Sequence, residues 1–296
     1  MIRCIPNHTI DKEQWDKTIL NSTHPHLYAR SWYLDVVSPG WKALVYNNYE
    51  YIMPLPIKHK CGIPYIVQPP LTQQLGIFSA NVITAKIQQQ FESKLFSHLS
   101  VRYSSSIEFN SKICKQTQRV NYILPLENSY ENIRQNFSDN CKRNIKKSET
   151  AGILVQHVSL DFFIKHFKDL SVFDVSQDLW NTIQLLLTQA ELQKSLRIYG
   201  AFFNNKICAL AAFVSSGTTL YYLIPGANSI AKKNGAAYAI VVQCIQDHAG
   251  TYKILDFEGS EIAGVAQFYK GFGAQIQPYF YIKKKLVPFL SFLLDK

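Results

Sequence analysis

The chain has 296 residues, which at roughly 150 residues per domain predicts two domains. Hydrophobic residues make up 47% of the chain and charged residues 18%, against a usual charged share of about 25%, so the composition excludes global disorder and indicates packed apolar cores. Lysine and arginine outnumber aspartate and glutamate by 31 to 21, and the net charge of +10 favours anionic partners such as phosphorylated cofactors, nucleic acid or an acidic membrane surface.

The first half of the sequence alternates helix and strand patterns. Asp11 suits the N-cap of a first helix, and a second helix is predicted over residues 31–37. Residues 81–99 predict an amphipathic helix, because apolar residues recur there at every fourth position. Strands are predicted at residues 3–5, 41–46, 51–57, 65–67, 106–109 and 119–124.

The second half repeats this order of elements. It begins with a helix predicted over residues 130–150, whose apolar stripe consists of Ile133, Phe137, Cys141 and Ile145. Further helices are predicted at 161–173, 177–194, 230–248 and 262–271, and strands at 153–158, 196–203, 207–215, 219–224, 252–257 and 276–283. The similar order predicts two related α/β modules with mixed sheets, divided into residues 1–127 and 128–296.

Several classes of protein and site are excluded by what the sequence lacks. No stretch reaches the roughly 18 apolar residues of a membrane-spanning helix, and the first residues lack the apolar core of a signal peptide, so we expect a cytoplasmic protein. The six cysteines are scattered without a C-x-x-C pair, so we expect no disulfide partner. His24-Pro25-His26 is the only spacing typical of metal ligands, and without carboxylates nearby it predicts no metal site.

The most informative segment lies late in the second half. Asp256-Phe257-Glu258-Gly259-Ser260 follows a predicted buried strand, and the next helix ends in Phe268-Tyr269-Lys270-Gly271-Phe272-Gly273. Folds of the α/β class place their sites at the carboxyl ends of strands. We therefore expect the helix to bring Tyr269 and Lys270 back towards the two carboxylates.

These segments, with the basic run Ser138–Lys147 and the stretch Gln68–Phe78, resemble in order and spacing the Fem-type peptidyl and aminoacyl transferases and the related GNAT acetyltransferases. The resemblance covers nearly the whole chain. It implies an α/β fold of two tandem GNAT-like domains, the first on the acceptor side and the second with the active site, and it implies transfer of an activated acyl group to an amine.

Two features depart from the Fem-type pattern. Tyr269 stands where the Fem-type enzymes usually have lysine, whereas GNAT enzymes that use acetyl-CoA often have tyrosine in a similar setting. The arginine-led, glycine-rich pyrophosphate loop of the acetyl-CoA enzymes is replaced by residues 231–236. The resemblance therefore leaves the donor open.

Acyl transfer to an amine needs a base for the amine, donors for the oxyanion and an acid for the leaving group. Glu258 is the candidate base, because partial burial at a strand end raises a carboxyl pKa towards neutrality. Tyr269 is the candidate acid, and Tyr269 or Lys270 would stabilise the developing negative charge. The structural alternatives are that Tyr269 is a packed aromatic residue and that Asp256 and Glu258 cap the following helix.

A second group of candidates would bind the phosphates of the donor. The basic helix pairs Arg143 with Lys147 one turn apart, which suits a diphosphate, an RNA backbone or an ordinary solvated face. The loop before the apolar helix, residues 226–235, has backbone amides suited to phosphate. The donor-binding candidates are Arg143, Asn144, Lys147, Gly226, Asn228, Asn234 and Gly235, and the acceptor-side candidates are Gln73 and Gln74.

The sequence thus predicts an N-acyltransferase in which a small-molecule or peptide amine attacks the donor directly, with acyl-CoA favoured as the donor. Two alternatives stand beside it: an aminoacyl-tRNA-dependent transferase of the cell-wall type, and a non-catalytic RNA- or lipid-binding module on the same fold. The tail Lys283–Leu294 joins lysines to an apolar run, which predicts either peripheral contact with an anionic membrane surface or docking on its own domain.

Overall fold

The computed structural model of the chain describes residues 1–171 and 175–284. It divides into two compact units, one formed by Met1–Arg119 with the chain from Pro278 onward, the other by Val120–Gln277. The domain boundary predicted near residue 127 stays a prediction. None of the helices in the described ranges is both long and apolar enough to cross a membrane.

The elements follow one another in an alternating order. The helices are α1 (Lys12–Asn21), α2 (Ser31–Val37), α3 (Ala85–Leu95), α4 (Tyr130–Gln135), α5 (Asp139–Thr150), α6 (Leu160–Leu170), α7 (Gln177–Leu192), α8 (Ser229–Asn234), α9 (Ala236–His248) and α10 (Ala263–Gly271). The strands are β1 (Ile2–Pro6), β2 (Lys42–Tyr46), β3 (Tyr51–Leu55), β4 (Ile57–Lys60), β5 (Ile63–Val67), β6 (Val101–Ser105), β7 (Cys114–Pro125), β8 (Leu154–His157), β9 (Leu196–Phe203), β10 (Lys206–Ser216), β11 (Thr219–Ala227), β12 (Ile254–Asp256) and β13 (Gln275–Lys284).

The first unit contains an antiparallel sheet in the order β1-β2-β3. Further strands pair as β4 with β5 antiparallel, β5 with β6 parallel, and β6 with β13 antiparallel. The cap predicted at Asp11 is confirmed, since its side chain accepts a hydrogen bond from the backbone N–H of Gln14 at 3.0 Å. The amphipathic helix predicted over residues 81–99 begins later because Thr84 caps it, and it ends at Leu95. The strand predicted at residues 106–109 is wrong; the strand of this region, β6, ends before it at Ser105.

The second unit has a mixed sheet in the order β7-β12-β11-β10-β9-β8. β12 and β11 are parallel, and the other neighbours are antiparallel. A crossover through α8 and α9 joins β11 to β12. Parallel strands require such a long connection, because the chain must return to the same end of the sheet before the second strand begins. The predicted mixed α/β fold class is confirmed.

Helices α5, α9 and α10 pack together in this unit. The predicted stripe is confirmed: Ile133, Phe137, Cys141 and Ile145 are all buried in the core. The single helix predicted over residues 130–150 is instead two, because Ser138 begins a new helix and its hydroxyl accepts a hydrogen bond from the N–H of Cys141 at 3.2 Å. The helix predicted over 230–248 also breaks in two, at Gly235, whose φ is +71°.

Strand β11 carries a bulge. Ala212 of β10 faces Ile224, whereas the next residue, Phe213, faces Tyr222, so Leu223 is an additional residue in β11. A bulge bends its strand and increases the local twist. The bend lies beside the place where β11 and β12 separate.

Candidate active site

The candidate site is a cavity of about 320 Å³ in the second unit. β11 pairs with β12 as far as Tyr221 opposite Asp256, and then continues to Ala227. After Asp256 the chain follows β7 instead, because the N–H of Phe257 donates to the carbonyl of Tyr122 at 2.9 Å. The cavity therefore opens where the two strands diverge. Its apolar walls come from β11, α9 and α10 and include Pro225, Ile240, Ile262, Val265 and Phe268.

Asp256 is buried at the end of β12 and is held by two hydrogen bonds. Its Oδ2 accepts from Nδ2 of Asn121 at 3.0 Å, and its Oδ1 accepts from the backbone N–H of Glu258 at 2.8 Å. Burial raises the pKa of Asp256 from 3.8 to about 6, although both hydrogen bonds lower it. A raised carboxyl pKa, which the sequence predicts for Glu258, is therefore found at Asp256. Asp256 does not cap α10, because its carboxylate is engaged at the strand end.

Glu258 is half-buried and has a φ of +62°, in the left-handed region that residues other than glycine seldom adopt. Its N–H is bonded to Asp256, and its carbonyl accepts from the N–H of Tyr122 at 3.2 Å. Such backbone conformations persist where the surroundings fix them, and they are concentrated at functional sites. The backbone of Glu258 is thus fixed at the end of β12.

Tyr269 lies on α10 and lines the cavity. Its ring stacks on Phe257, with centroids 4.9 Å apart and planes at 19°, and the ring of Tyr222 stands nearly perpendicular at 6.3 Å. Burial, and then the charges of Tyr222, Glu258 and Asp256, raise the pKa of Tyr269 well above its usual value. Its phenol is therefore protonated at neutral pH.

Tyr222, on β11 immediately before the bulge, also lines the cavity. Burial raises its pKa above the usual range, so its hydroxyl too is protonated. Across the two described ranges, no protein group hydrogen-bonds to the hydroxyl of Tyr222 or of Tyr269. Because buried tyrosine hydroxyls usually find a partner, both are donors suited to a ligand in the cavity.

Lys270 is exposed, and its Nζ lies 5.7 Å from the centre of the Tyr122 ring. It is not among the described residues that line the cavity. Adjacent positions on a helix point about 100° apart, so a helix that turns Tyr269 inward turns Lys270 away. The structure thus brings Asp256 and Glu258 close enough to Tyr269 to affect its pKa. Of the four predicted catalytic residues, Tyr269 lines the cavity within the described ranges, and Asp256, Glu258 and Lys270 do not.

The glycines of the predicted donor loop have packing roles. A Cβ on Gly226 would lie 2.8 Å from Cε2 of Phe167, and a Cβ on Gly235 would lie 2.4 Å from the carbonyl oxygen of Asn144. Gly226 also lines the cavity, whereas Gly235 does not. Glycine is needed at both positions to allow these close approaches.

The two asparagines of the same loop bond to its backbone. The side chain of Asn228 accepts from the N–H of Ala231 at 3.0 Å and caps α8, and Nδ2 of Asn234 donates to the carbonyl of Ile230 at 3.1 Å. Neither residue lines the cavity within the described ranges. The neighbouring Lys232 does line it.

On α5, Arg143 and Lys147 are exposed, and Asn144 donates from Nδ2 to the carbonyl of Asn140 at 2.9 Å. Helix α5 packs against α8, which adds the exposed Lys232 and Lys233. The two helices therefore give the second unit a cationic surface, and Lys232 connects this surface to the cavity.

The acceptor-side candidates belong to the first unit. Nε2 of Gln74, which is buried, donates to Oε1 of Gln73 at 2.9 Å. Of the predicted membrane-contacting tail, Lys283 and Lys284 end β13, and Nζ of Lys284 donates to the carbonyls of Phe96 and His98, both at 2.7 Å. Residues 285–294 lie outside the described residues, and membrane contact stays a prediction.

Sequence reasoning missed Tyr222 and Asn121. Tyr222 lies among buried residues of β11, and Asn121 lies in β7 between the half-buried Val120 and the buried Tyr122, so no alternation of polar and apolar residues distinguishes them. Asn121 is fully buried, and a buried amide signals a hydrogen-bond partner. This signal becomes visible only once burial is known.

No protein-family model matches the sequence, and no curated protein matches it either. Solved structures do match its fold. The chain superimposes on FemX with a TM-score of 0.71 and 10% identity, covering 99% of this chain and 100% of that one. The chain has a Fem-type, GNAT-like fold.

Two further structures agree with this fold. L-PGS from Bacillus licheniformis matches with a TM-score of 0.59 and 9% identity, covering 96% of each chain. A tandem GNAT protein from the clavulanic acid biosynthesis pathway matches with a TM-score of 0.52 and 8% identity, covering 96% of this chain and 98% of that one. The Fem-type, GNAT-like fold expected from the sequence motifs is confirmed.

Proposed function

We propose that the second unit is an N-acyltransferase that moves an acyl group from acyl-CoA to a small-molecule or peptide amine. The observation that carries this proposal is the combination of two protonated tyrosine hydroxyls in one cavity with two carboxylates at the adjoining strand end. The Fem-type, GNAT-like fold supports it, since a structure with the same fold is a tandem GNAT protein.

In the proposed reaction the amine nitrogen attacks the carbonyl carbon of the thioester, and the new C–N bond forms as the C–S bond breaks. Glu258 takes the proton that the amine loses, directly or through water. Asp256 positions Glu258 by accepting a hydrogen bond from the backbone N–H of Glu258. Tyr269 donates to the developing oxyanion or gives its proton to the leaving thiolate. Positioning and hydrogen-bond donation supply most of the catalysis, because a thioester is already activated.

The lining of the cavity supports an uncharged acyl group. Its walls are mainly apolar, and Lys232 is the charged residue among the described residues that line it. An aminoacyl group carries a protonated amine, which Lys232 would repel. The phosphates of CoA would instead be attracted to Lys232 and to Arg143 and Lys147 on the neighbouring helix.

The test is an acyl-transfer assay with acyl-CoA donors and a panel of amines. We expect transfer by the wild type and a loss of at least about tenfold in kcat for Glu258→Gln and for Tyr269→Phe, with Tyr252→Phe, which lies outside the cavity lining, as the matched control. Wild-type rates in both variants would disprove the assignment of these residues. No transfer from any acyl-CoA would disprove the choice of donor.

The cationic surface on α5 and α8 favours one second candidate, aminoacyl-tRNA as the donor. Transfer from aminoacyl-tRNA but not from acyl-CoA would support it. RNA or anionic lipid binding that weakens steeply with salt, without transfer from either donor, would instead indicate a non-catalytic binding module.

A further inference from the structure

A second cavity, of about 610 Å³, lies wholly within the first unit. One wall is a single face of α3 and its end, formed by Gln89, Glu92, Ser93 and Phe96. The other wall is the loop between β6 and β7, which contributes Asn110 and Ser111. Most of these groups are neutral and polar, and Glu92 is the charged residue among the described residues that line the cavity.

Glu92 is an unusual residue to find in this position. Only 3% of its surface is exposed, and charged residues are almost never so fully buried unless they are paired. Its Oε1 accepts two hydrogen bonds, from Nε2 of Gln88 at 2.7 Å and from the backbone N–H of Asn110 at 2.8 Å. Within residues 1–171 and 175–284, nothing donates to Oε2 and no cation forms an ion pair with the carboxylate.

A carboxylate on so little-exposed a residue, with two donors on Oε1 and none from the described residues on Oε2, is stabilised by a cation beside it. A positively charged ligand in the cavity would supply that cation. The hydroxyls of Ser93 and Ser111 and the side-chain carbonyls of Gln89 and Asn110 are additional acceptors. The ring of Phe96 offers an aromatic surface, which attracts organic cations.

We propose that this cavity is a binding site for a primary alkylammonium group, with Glu92 as its counter-ion. An ammonium group has three N–H donors for Oε2 and the neighbouring oxygens, and its alkyl chain matches Phe96 and Ile113. A metal ion fits less well, because no group of three or more His, Cys, Asp and Glu side chains in the described residues is placed to hold one. The inference does not depend on the proposed transferase activity.

The experiment uses the full-length protein and n-butylammonium chloride. The backbone amide of Asn110 bonds directly to Glu92, so its NMR chemical shift reports on the site. We expect a saturable shift with the wild type at millimolar concentrations or below. Sodium chloride at equal ionic strength should produce no saturable shift of this resonance. Neutral n-butanol should likewise produce none.

The decisive variant is Glu92→Gln. It removes the charge and keeps a carbonyl oxygen to accept from Gln88 and Asn110, so the loop stays in place. Binding of n-butylammonium should weaken at least about tenfold in this variant. Glu108→Gln is the matched control, because it removes an exposed negative charge nearby that does not line the cavity, and its binding should equal that of the wild type.

Four results would overturn the proposal. These are no saturable shift in the wild type, equal affinity in Glu92→Gln, equal weakening in both variants, and saturation by sodium at the same affinity. Equal weakening would indicate a general charge effect, and saturation by sodium would indicate a cation site without selectivity for an amine. Circular dichroism on both variants verifies that they fold.

Discussion

The backbone N–H of Glu258 donates to Oδ1 of Asp256 at 2.8 Å, and this contact joins a carboxyl group with a pKa of about 6 to a residue in the left-handed conformation. A carboxylate accepts a stronger hydrogen bond than its protonated form does. The charge on Asp256 therefore helps to set the backbone conformation of Glu258, the candidate base. The protonation of the buried Asp256 therefore affects the backbone of Glu258, which is the half-exposed member of the pair.

Asp256 should make the stability of the fold depend on pH. Its pKa in the folded protein is above 3.8, so the folded state binds the proton more tightly than the unfolded state. The corresponding stability is fully present below about 3.8 and is lost as the pH rises through about 6. A rise from 3.8 to about 6 corresponds to about 3 kcal/mol.

Asp256→Asn removes this titration. Between about pH 4 and pH 7, the free energy of unfolding of this variant should rise relative to the wild type by up to about 3 kcal/mol, as measured by urea denaturation at several pH values. The exposed Asp169→Asn serves as the control for the removal of an acidic side chain. A difference for Asp256→Asn that stays constant over this pH range would contradict the raised pKa.

Tyr269→Phe should separate activity from stability. The hydroxyl of Tyr269 has no hydrogen-bond partner among the described residues, so its removal should change the free energy of unfolding by less than about 1 kcal/mol. If the hydroxyl donates to the oxyanion, kcat should fall about 100-fold with little change in KM. Steady-state kinetics and thermal unfolding on the same preparation test both parts, and a large loss of stability with unchanged kcat would indicate a packing role.

Gly235→Ala and Gly152→Ala form a matched pair. Both glycines have nearly the same φ, +71° and +72°, but an added Cβ meets the Asn144 oxygen at 2.4 Å in the first and nothing within 4 Å in the second. Both variants incur the left-handed backbone cost of about 1–2 kcal/mol. Gly235→Ala should lose about 1–3 kcal/mol more, because overpacking displaces α5. If chemical denaturation gave equal losses in the free energy of unfolding for the two variants, α5 would be shown to shift at no cost.

The double variant Arg143→Gln/Lys147→Gln tests the donor surface. If these side chains bind the phosphates of the donor, its KM should rise about tenfold while kcat stays unchanged, and the salt dependence of KM should weaken. Lys206→Gln/Lys253→Gln, at two exposed positions outside α5 and α8, removes the same number of positive charges and controls for the change in net charge. An unchanged KM in the double variant would assign these cations to an ordinary solvated face.

Patterns that reflect local geometry could be predicted well from the sequence. The stripe from Ile133 to Ile145 is buried as expected, and the strands predicted at residues 196–203 and 207–215 are β9 and β10. Breaks between consecutive helices are harder to predict from the sequence, because Ser138 and Gly235 lie inside otherwise continuous apolar patterns. Their effects depend on a side-chain cap and on a backbone contact between helices that are distant in sequence.

The site was predicted in outline only. The motif order placed Asp256, Glu258 and Tyr269 near one strand end, and the structure brings these three together. The motif order cannot show that Lys270 points away from the cavity, since that depends on how α10 is rotated against the sheet. Nor could it show that Asp256 is the buried member of the acidic pair, because burial there depends on Asn121, 135 residues away in the chain.

The extra residue at Leu223 has a consequence for how this cavity can be gained or lost. Ile224 is paired with Ala212 and Tyr222 with Phe213, so deleting Leu223 would keep these pairs and the faces of residues 224–227, but it would remove the bulge and its bend. Pro225 and Gly226, which line the cavity, would then lie on a straighter and less twisted strand. The opening thus depends on the number of residues in β11 as well as on their identity, because a single deletion can change the shape of the cavity while every pair with β10 is kept.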